Sequence, residues 1–177
     1  RDLSKSFKNF KLKNISFSVP KGSIMGFIGE NGAGKTTTIK LMLNQLKAET
    51  GEIGILGLDH RKDEKKIKSD IGVVLDECYF HENIKPKHIS KIMARIYKNW
   101  DEPLFYSYID QFRLPDNKTT KEFSRGMKLK LSIATALSHH PKLLILDEAT
   151  SGLDPVVRNE ILDLFLEFIQ DEEHSIL

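Results

Sequence analysis

The sequence predicts an α/β fold interrupted by an all-helical insert, and three observations carry that reading. Residues 23–38, SIMGFIGENGAGKTTT, set a glycine-rich phosphate-binding pattern between a short apolar run and a helix-forming one. Short apolar runs suited to buried strands stand at 71–75 (IGVVL) and 143–146 (LLIL). Between about residues 85 and 140 such runs stop, and apolar residues recur at helical spacing.

Taken in order, residues 13–20 (KNISFSVP) alternate apolar Ile15, Phe17 and Val19 with polar Asn14, Ser16 and Ser18. That is the period of a half-buried strand, and Pro20-Lys21-Gly22 is its closing turn. Residues 23–29 follow as a buried strand on Ile24, Met25, Phe27 and Ile28. Gly29, four residues, Gly34, Lys35 and Thr36 then satisfy G-x-x-x-x-G-K-[ST]. Glycine at 29, 32 and 34 lets the backbone fold back so that successive N–H groups face a phosphate. Lys35 brings a cation to the β- and γ-phosphates, and the Thr36 hydroxyl suits Mg²⁺. A helix expected over 35–44 points its N-terminal dipole at the same anion. These residues predict a nucleoside triphosphate site.

Beyond the loop, 49–58 reads as a turn and a short strand, and the charged run 61–70 as a solvated helix face. The insert begins with Ile89, Ile92, Met93 and Ile96 on one helix and Leu104, Tyr108, Ile109 and Phe112 on a second. Asp101 is the expected cap of the second helix, with Pro103 in its first turn. A third helix is expected over 125–139. After it the LLIL run delivers Asp147 and Glu148 at a strand's C-terminal end, where open α/β sheets bind ligands. Asp147 suits Mg²⁺, directly or through water, and Glu148 suits orienting or deprotonating an attacking water. In isolation such a pair also reads as a helix-capping turn. A long helix over 155–170 and the start of a strand at 175–177 complete the chain.

Composition bounds the rest. The 177 residues carry 27 Lys+Arg against 25 Asp+Glu, and a net charge of +2 gives no case for a nucleic-acid partner. Cys78 is the single cysteine, so an internal disulfide is impossible and a reducing compartment is expected. No apolar run approaches the roughly 18 residues of a membrane span, and the expectation is a soluble chain that can dock on a membrane partner. The chain starts at Arg1 and stops at Leu177 within an apolar run, which reads as a fragment. His81 and His88 flank a turn, and His139-His140 precede Pro141 at a helix end; solvated or capping roles are expected for all of them, with no metal site.

The ordered motifs GENGAGKTT, FSRGM, LLILDE and SGLD resemble the nucleotide-binding domain of ATP-binding cassette (ABC) transporters over essentially the whole chain. FSRGM stands where that family carries its LSGGQ-type signature, and SGLD resembles its D-loop. Within the family, FSRGMK, KNWD and DEATSGLDPVVR look most like ATPase subunits of ABC-2-type exporters of Gram-positive bacteria, some of which move antimicrobial or membrane-active peptides.

The resemblance implies a P-loop NTPase with a mostly parallel central sheet, an antiparallel β part at the N-terminus and the helical insert at about 85–140. It implies one ATPase domain over 1–177, cut short at its C-terminus. ATP and Mg²⁺ would be held by Gly29, Asn31, Gly32, Ala33, Gly34, Lys35, Thr36 and Thr37, with metal also at Asp147. Lys35 and Glu148 would be the catalytic pair. Phe7 falls where an aromatic stacks on adenine; a core aromatic paired with Phe10 is its other reading. Asp76 falls at the Q-loop, where the family has Gln, and could ligate Mg²⁺ or be a surface acid. Ser124 and Gly126 would cap the γ-phosphate bound by a second subunit, with Asp154 at the same interface and Arg125 replacing a Gly.

Implied partners are a second ATPase subunit, identical or sister, in a head-to-tail dimer, and a transmembrane permease. The implied location is cytoplasmic, peripheral on the inner face of the cell membrane. The family's histidine after the strand at Ser175 lies beyond Leu177; His174 is not it, and a chain ending here is expected to hydrolyse poorly. Two other readings stand beside the exporter motor. One is a nucleotide-sensing module with little hydrolysis, against which Glu148 argues. The other is a soluble ABC ATPase acting on ribosomes or DNA. Against that one stand a single phosphate loop and the absence of sustained heptads between Lys35 and Ser124.

Overall fold

Leu3–Phe7 (β1) and Phe10–Ile15 (β2) pair antiparallel, with Phe7 opposite Phe10 at the tip of the hairpin. The computed structural model describes residues 1–75, 78–148 and 153–177. The strand expected over 13–20 is thus the end of β2: the pairing stops at Leu3↔Ile15, and among the described residues no backbone partner extends the ladder beyond it. Phe17 instead turns to the interior, edge-on to Phe27 at 4.7 Å.

Helix Lys35–Met42 (α1) follows the phosphate loop and ends earlier than expected, because Asn44 adopts φ 57° just past its cap at Leu43. Leu41 of α1 is fully buried against Leu3 and Leu12, which seats the hairpin on the helix. Gly54–Ile55 (β3) and Leu58–Asp59 (β4) form a minimal hairpin across Leu56-Gly57. Both turn residues have positive φ, 53° and 77°, as a two-residue turn matched to strand twist requires. Glu64–Asp70 (α2) then leads into Ile71–Val74 (β5).

The insert supplies Pro86–Ile96 (α3), Glu102–Gln111 (α4), a single 3₁₀ turn at Thr120–Glu122 and Arg125–Leu137 (α5). Asp101 caps α4 as expected, accepting from Leu104 N at 2.8 Å. Leu143–Leu146 (β6), Pro155–Phe168 (α6) and Ser175–Ile176 (β7) complete the chain.

The sheet is parallel in the order β5-β6-β7, with Ile71 opposite Leu143 and Leu144 opposite Ile176. Period-2 alternation puts Val74 and Leu144 on one face, in a core shared with Phe105, Ile133 and Ile161 of α4, α5 and α6. Ile71, Leu143 and Ile145 face the other way, towards Ile39 and Ile67 of α1 and α2. The insert therefore packs on the sheet through one continuous apolar cluster. Close contact is built in at Gly72, where a Cβ would stand 2.9 Å from the Ala136 carbonyl and 2.9 Å from Leu144 Cδ1.

Two expectations need correcting. Residues 23–29 are not a buried strand: they join β7 through a single bridge, Ile24↔Ile176, with Met25 N donating to Ile176 O at 2.9 Å. Met25 and Phe27 pack inward, while Ile24 and Ile28 are 53% and 97% exposed, because only one face of this edge segment is covered. His139 is not solvated but 2% exposed, its Nε2 3.0 Å from the Ile71 carbonyl and its ring stacked on Tyr97 at 4.0 Å. Burial pushes its pKa down, opposed by the contact with Ile71. His140 is exposed as expected, its ring 3.2 Å from the Asp101 carboxylate.

Candidate functional site: a phosphate loop facing an acidic strand end

The loop between the edge segment and α1 is held by its own backbone. Gly32 and Gly34 have φ 85° and 100°, a region that a Cβ disfavours, and Ala33 N donates to Glu30 O at 3.1 Å. At Gly34 a second reason applies: a Cβ there would fall 2.7 Å from Leu12 Cδ1 and 3.0 Å from Phe10 Cζ. The β1–β2 hairpin thus leans on the loop through the one residue that can accept it.

Lys35 Nζ donates to the carbonyls of Gly29 and Glu30 at 2.8 and 3.2 Å, so the ammonium is curled over the loop that a phosphate would enter. Its neighbour Thr36 donates from Oγ1 to Asp147 Oδ1 at 3.2 Å, across 111 residues of sequence. That contact joins the start of α1 to the end of β6. Asp147 is buried, whereas Glu148 is exposed and adopts φ 52°. A non-glycine residue in that region costs about 1–3 kcal/mol of strain, and such strain gathers at functional sites. Here it turns two successive carboxylates to different places: Asp147 to Thr36, and Glu148 to the open cleft.

That cleft, of about 560 Å³, is lined by Phe10, Asn31, Gly32, Gly34, Lys35, Thr36, Thr37 and Glu148. It brings most of the expected loop residues and the expected base to one surface. Thr36 and Asp147 fit a small hard cation: a hydroxyl and a carboxylate oxygen, already adjacent, are the few protein ligands that Mg²⁺ takes beside phosphate and water. A larger cavity, about 880 Å³, opens by Ile15, Ile53, Lys142 and Ser175, at the opposite ends of the sheet strands, and holds none of the phosphate-binding residues.

Phe7 does not line the cleft; Phe10 does. Phe7 is 44% exposed, its ring 6.2 Å from that of Phe10 and 5.8 Å from Lys5 Nζ, so it is no core aromatic. Phe10 was missed in the sequence because only the hairpin register, which sets it opposite Phe7, brings it over Gly34. Asp76 and the Ser151-Gly152 pair lie outside the described residues.

Ser124 is the N-cap of α5, its Oγ accepting from Met127 N at 3.2 Å. Asp154 caps α6 in the same manner, accepting from Val156 and Val157 N at 3.0 and 3.1 Å. The two helix starts meet: a Cβ on Gly126 would lie 3.8 Å from Val157 Cγ1 and 3.9 Å from Leu153 Cδ2. Ser124, Gly126 and Asp154 are therefore neighbours at a second surface, separate from the residues that line the cleft.

A phosphate loop, an acid pair at the end of a parallel strand and a helical insert on the same sheet define an ABC-type nucleotide-binding fold. Residues 12–151 match the ABC transporter family, and the chain belongs to it. It is 33% identical to the ABC transporter ATP-binding protein YtrB of Bacillus subtilis (strain 168), over the whole chain and 61% of that protein. It is 38% identical to the bacitracin transport ATP-binding protein BcrA of Bacillus licheniformis, over 88% of the chain and 52% of the relative. The chain thus spans between 52 and 61% of the length of these two relatives. An ATP-binding subunit of an ABC transporter superposes with a TM-score of 0.82 at 25% identity, over 99% of this chain and 76% of that one. The dimeric post-hydrolysis ATP-binding cassette MJ0796, bound to ADP and Pi, has the same fold, with a TM-score of 0.83 at 21% identity over 99% of this chain and 84% of that one.

Proposed function

We propose that this chain is the ATP-hydrolysing motor of an exporter, acting on a separate membrane permease from the cytoplasmic face of the membrane. The observation that carries the reading is the Thr36–Asp147 contact with Glu148 turned into the same cleft. It supports a site in which Thr36 and Asp147 hold a cation, Lys35 holds phosphate and Glu148 acts as the general base. Gly29 to Thr37 wrap the β- and γ-phosphates, and Lys35 leaves its two carbonyls to balance their charge. Thr36 and Asp147 are the residues that would hold Mg²⁺, which would supply charge neutralisation for the transferring phosphoryl group. Glu148 orients a water and takes its proton as the new O–P bond forms and the β–γ bridge breaks. Phe10 walls the cleft beside the loop, and Phe7 offers an exposed π-face next to it for the adenine.

The second surface, at Ser124, Gly126 and Asp154, is the part that a monomer's own cleft does not use. In a head-to-tail pair, of two copies or with a sister subunit, it meets the γ-phosphate held by the partner. Closure around two ATP molecules and release after hydrolysis then move the permease, which docks on the insert. Similarity to the bacitracin transport ATP-binding protein BcrA favours export of a peptide or other amphipathic compound.

The test is ATP turnover and ATP-dependent dimerisation of the full-length gene product, alongside its Glu148→Gln variant. Turnover should fall on the order of 10²–10⁴-fold in the variant, the range for losing a general base, while ATP binding persists and a dimer accumulates. Binding without turnover or dimerisation in the parent would replace the motor with a nucleotide sensor.

A further inference from the structure

The stretch that leads into Ser124 is tied to a distant turn by contacts that neither the phosphate loop nor the acid pair explains. Thr120 is 1% exposed, and its Oγ1 donates to the His81 carbonyl at 2.8 Å. Its backbone N donates to Ile84 O at 2.9 Å, and Lys121 N donates to Glu82 O at 2.8 Å. Three bonds thus lock one turn of 3₁₀ helix onto residues 81–84, a segment that starts five positions after Asp76 in the sequence.

The lock is rigid from both sides. Glu122 Oε2 accepts from Thr119 N and Thr119 Oγ1, both at 2.8 Å, which closes the 3₁₀ turn as a capping box. The 81–84 turn is closed by Ile84 N on His81 O at 3.1 Å, and by Asn83 N on His81 Nδ1 at 3.2 Å. Phe123, 5% exposed, is sunk in the core of the insert, and Ser124 follows at once as the α5 cap. Between Thr120 and Ser124 the chain has no slack.

We propose that Thr120 is a positioning residue for the reaction: its hydroxyl holds the α5 N-terminus in register with the 81–84 turn, so that Ser124 and Gly126 are presented at a set place to the nucleotide of a second subunit. This rests on the motor reading above and deepens it. A buried hydroxyl suits the task because its bond to a carbonyl is directional, whereas an apolar side chain of the same size would fill the space without setting an angle. A shift of about 1 Å in a group that orients a reacting phosphate is enough to slow turnover.

The experiment compares Thr120→Val, which keeps the shape and removes the hydroxyl, with Thr120→Ser, which keeps the hydroxyl, in the full-length protein. Thr120→Val is expected to bind ATP as a monomer within about twofold of the parent while kcat falls about fivefold or more, the scale of one lost hydrogen bond. ATP-driven dimerisation in the Glu148→Gln background should weaken with it, and Thr120→Ser should recover both. Hydrogen exchange at the Thr120, Lys121 and Met127 amides should speed up in the valine variant alone. Parental kcat and dimerisation in Thr120→Val, or a serine variant as impaired as the valine one, would overturn the proposal. A parent that neither hydrolyses nor dimerises sinks the motor reading and overturns the positioning role of Thr120 with it, whereas an active parent with parental kcat in Thr120→Val overturns the positioning role alone.

Discussion

Around the phosphate loop, side chains stand in the open: Ile28 is 97% exposed, and Thr36 and Glu148 are exposed as well. Across the sheet, Phe105, Leu131, Ile133, Leu144 and Ile161 are at 0%. The loop owes its shape to backbone conformations that glycine permits, the positive φ at Gly32 and Gly34, and to a few hydrogen bonds. The insert owes its shape chiefly to burial, in a core of residues scattered between Val74 and Ile176. Substitutions in the loop should act first on ligand binding, and those in the insert core first on stability. That separation suits the motor proposed above, in which the loop handles the ligand and the insert faces other subunits.

Truncation of Phe105 should sharpen the contrast most. Phe105→Ala empties the centre of the insert core and should cost about 3–5 kcal/mol in urea unfolding. Protein still folded should bind ATP as tightly as the parent; a parallel loss of affinity would mean the two regions are not separable. Gly34→Ala works from the other side. Strain at φ 100° and the 2.7 Å approach of Leu12 should weaken ATP binding about tenfold or more, the equivalent of 1.4 kcal/mol upwards. Isothermal titration would read this, and because the added methyl meets the small hairpin core rather than the insert core, the unfolding midpoint should move less than for Phe105→Ala.

Gly72→Ala probes the seam between insert and sheet. A Cβ at 2.9 Å from Ala136 O must push α5 off β5, for about 1–3 kcal/mol of stability in denaturant titration and no direct change in ATP affinity. The smallest effect concerns pH. His139 is held neutral by burial, so its folded pKa lies below the unfolded value of about 6.5. The unfolded chain then takes up the proton first. Stability conferred by the neutral ring is complete above about pH 6.5 and is lost as pH falls towards the lower folded pKa. His139→Gln should flatten that slope in melting curves between about pH 7 and 5. His60, also depressed by burial, should leave part of it.

The phosphate loop, the LLILDE strand end and the helical insert were legible in the sequence, and each sits in the structure near its expected bounds. What was not legible shares one cause. Residues 23–29 have the composition of a buried strand, but their exposure follows from lying at the sheet edge beside β7. Histidine at a helix end is ordinarily wet; His139 is dry because Tyr97 and the start of β5 close over it. Neither fact is written within ten residues of the position concerned.

By itself the sequence determined the chemistry of the loop, because glycine conformations, a lysine and a hydroxyl act over a few bonds and need no distant partner. It also determined which strand ends in carboxylates. Only the tertiary structure decided that Thr36 meets Asp147, that Phe10 rather than Phe7 walls the cleft, and that Thr120 is fastened to His81. Those contacts join positions far apart in the chain, and their geometry exists only once the cores on the two sheet faces have packed and set the distances.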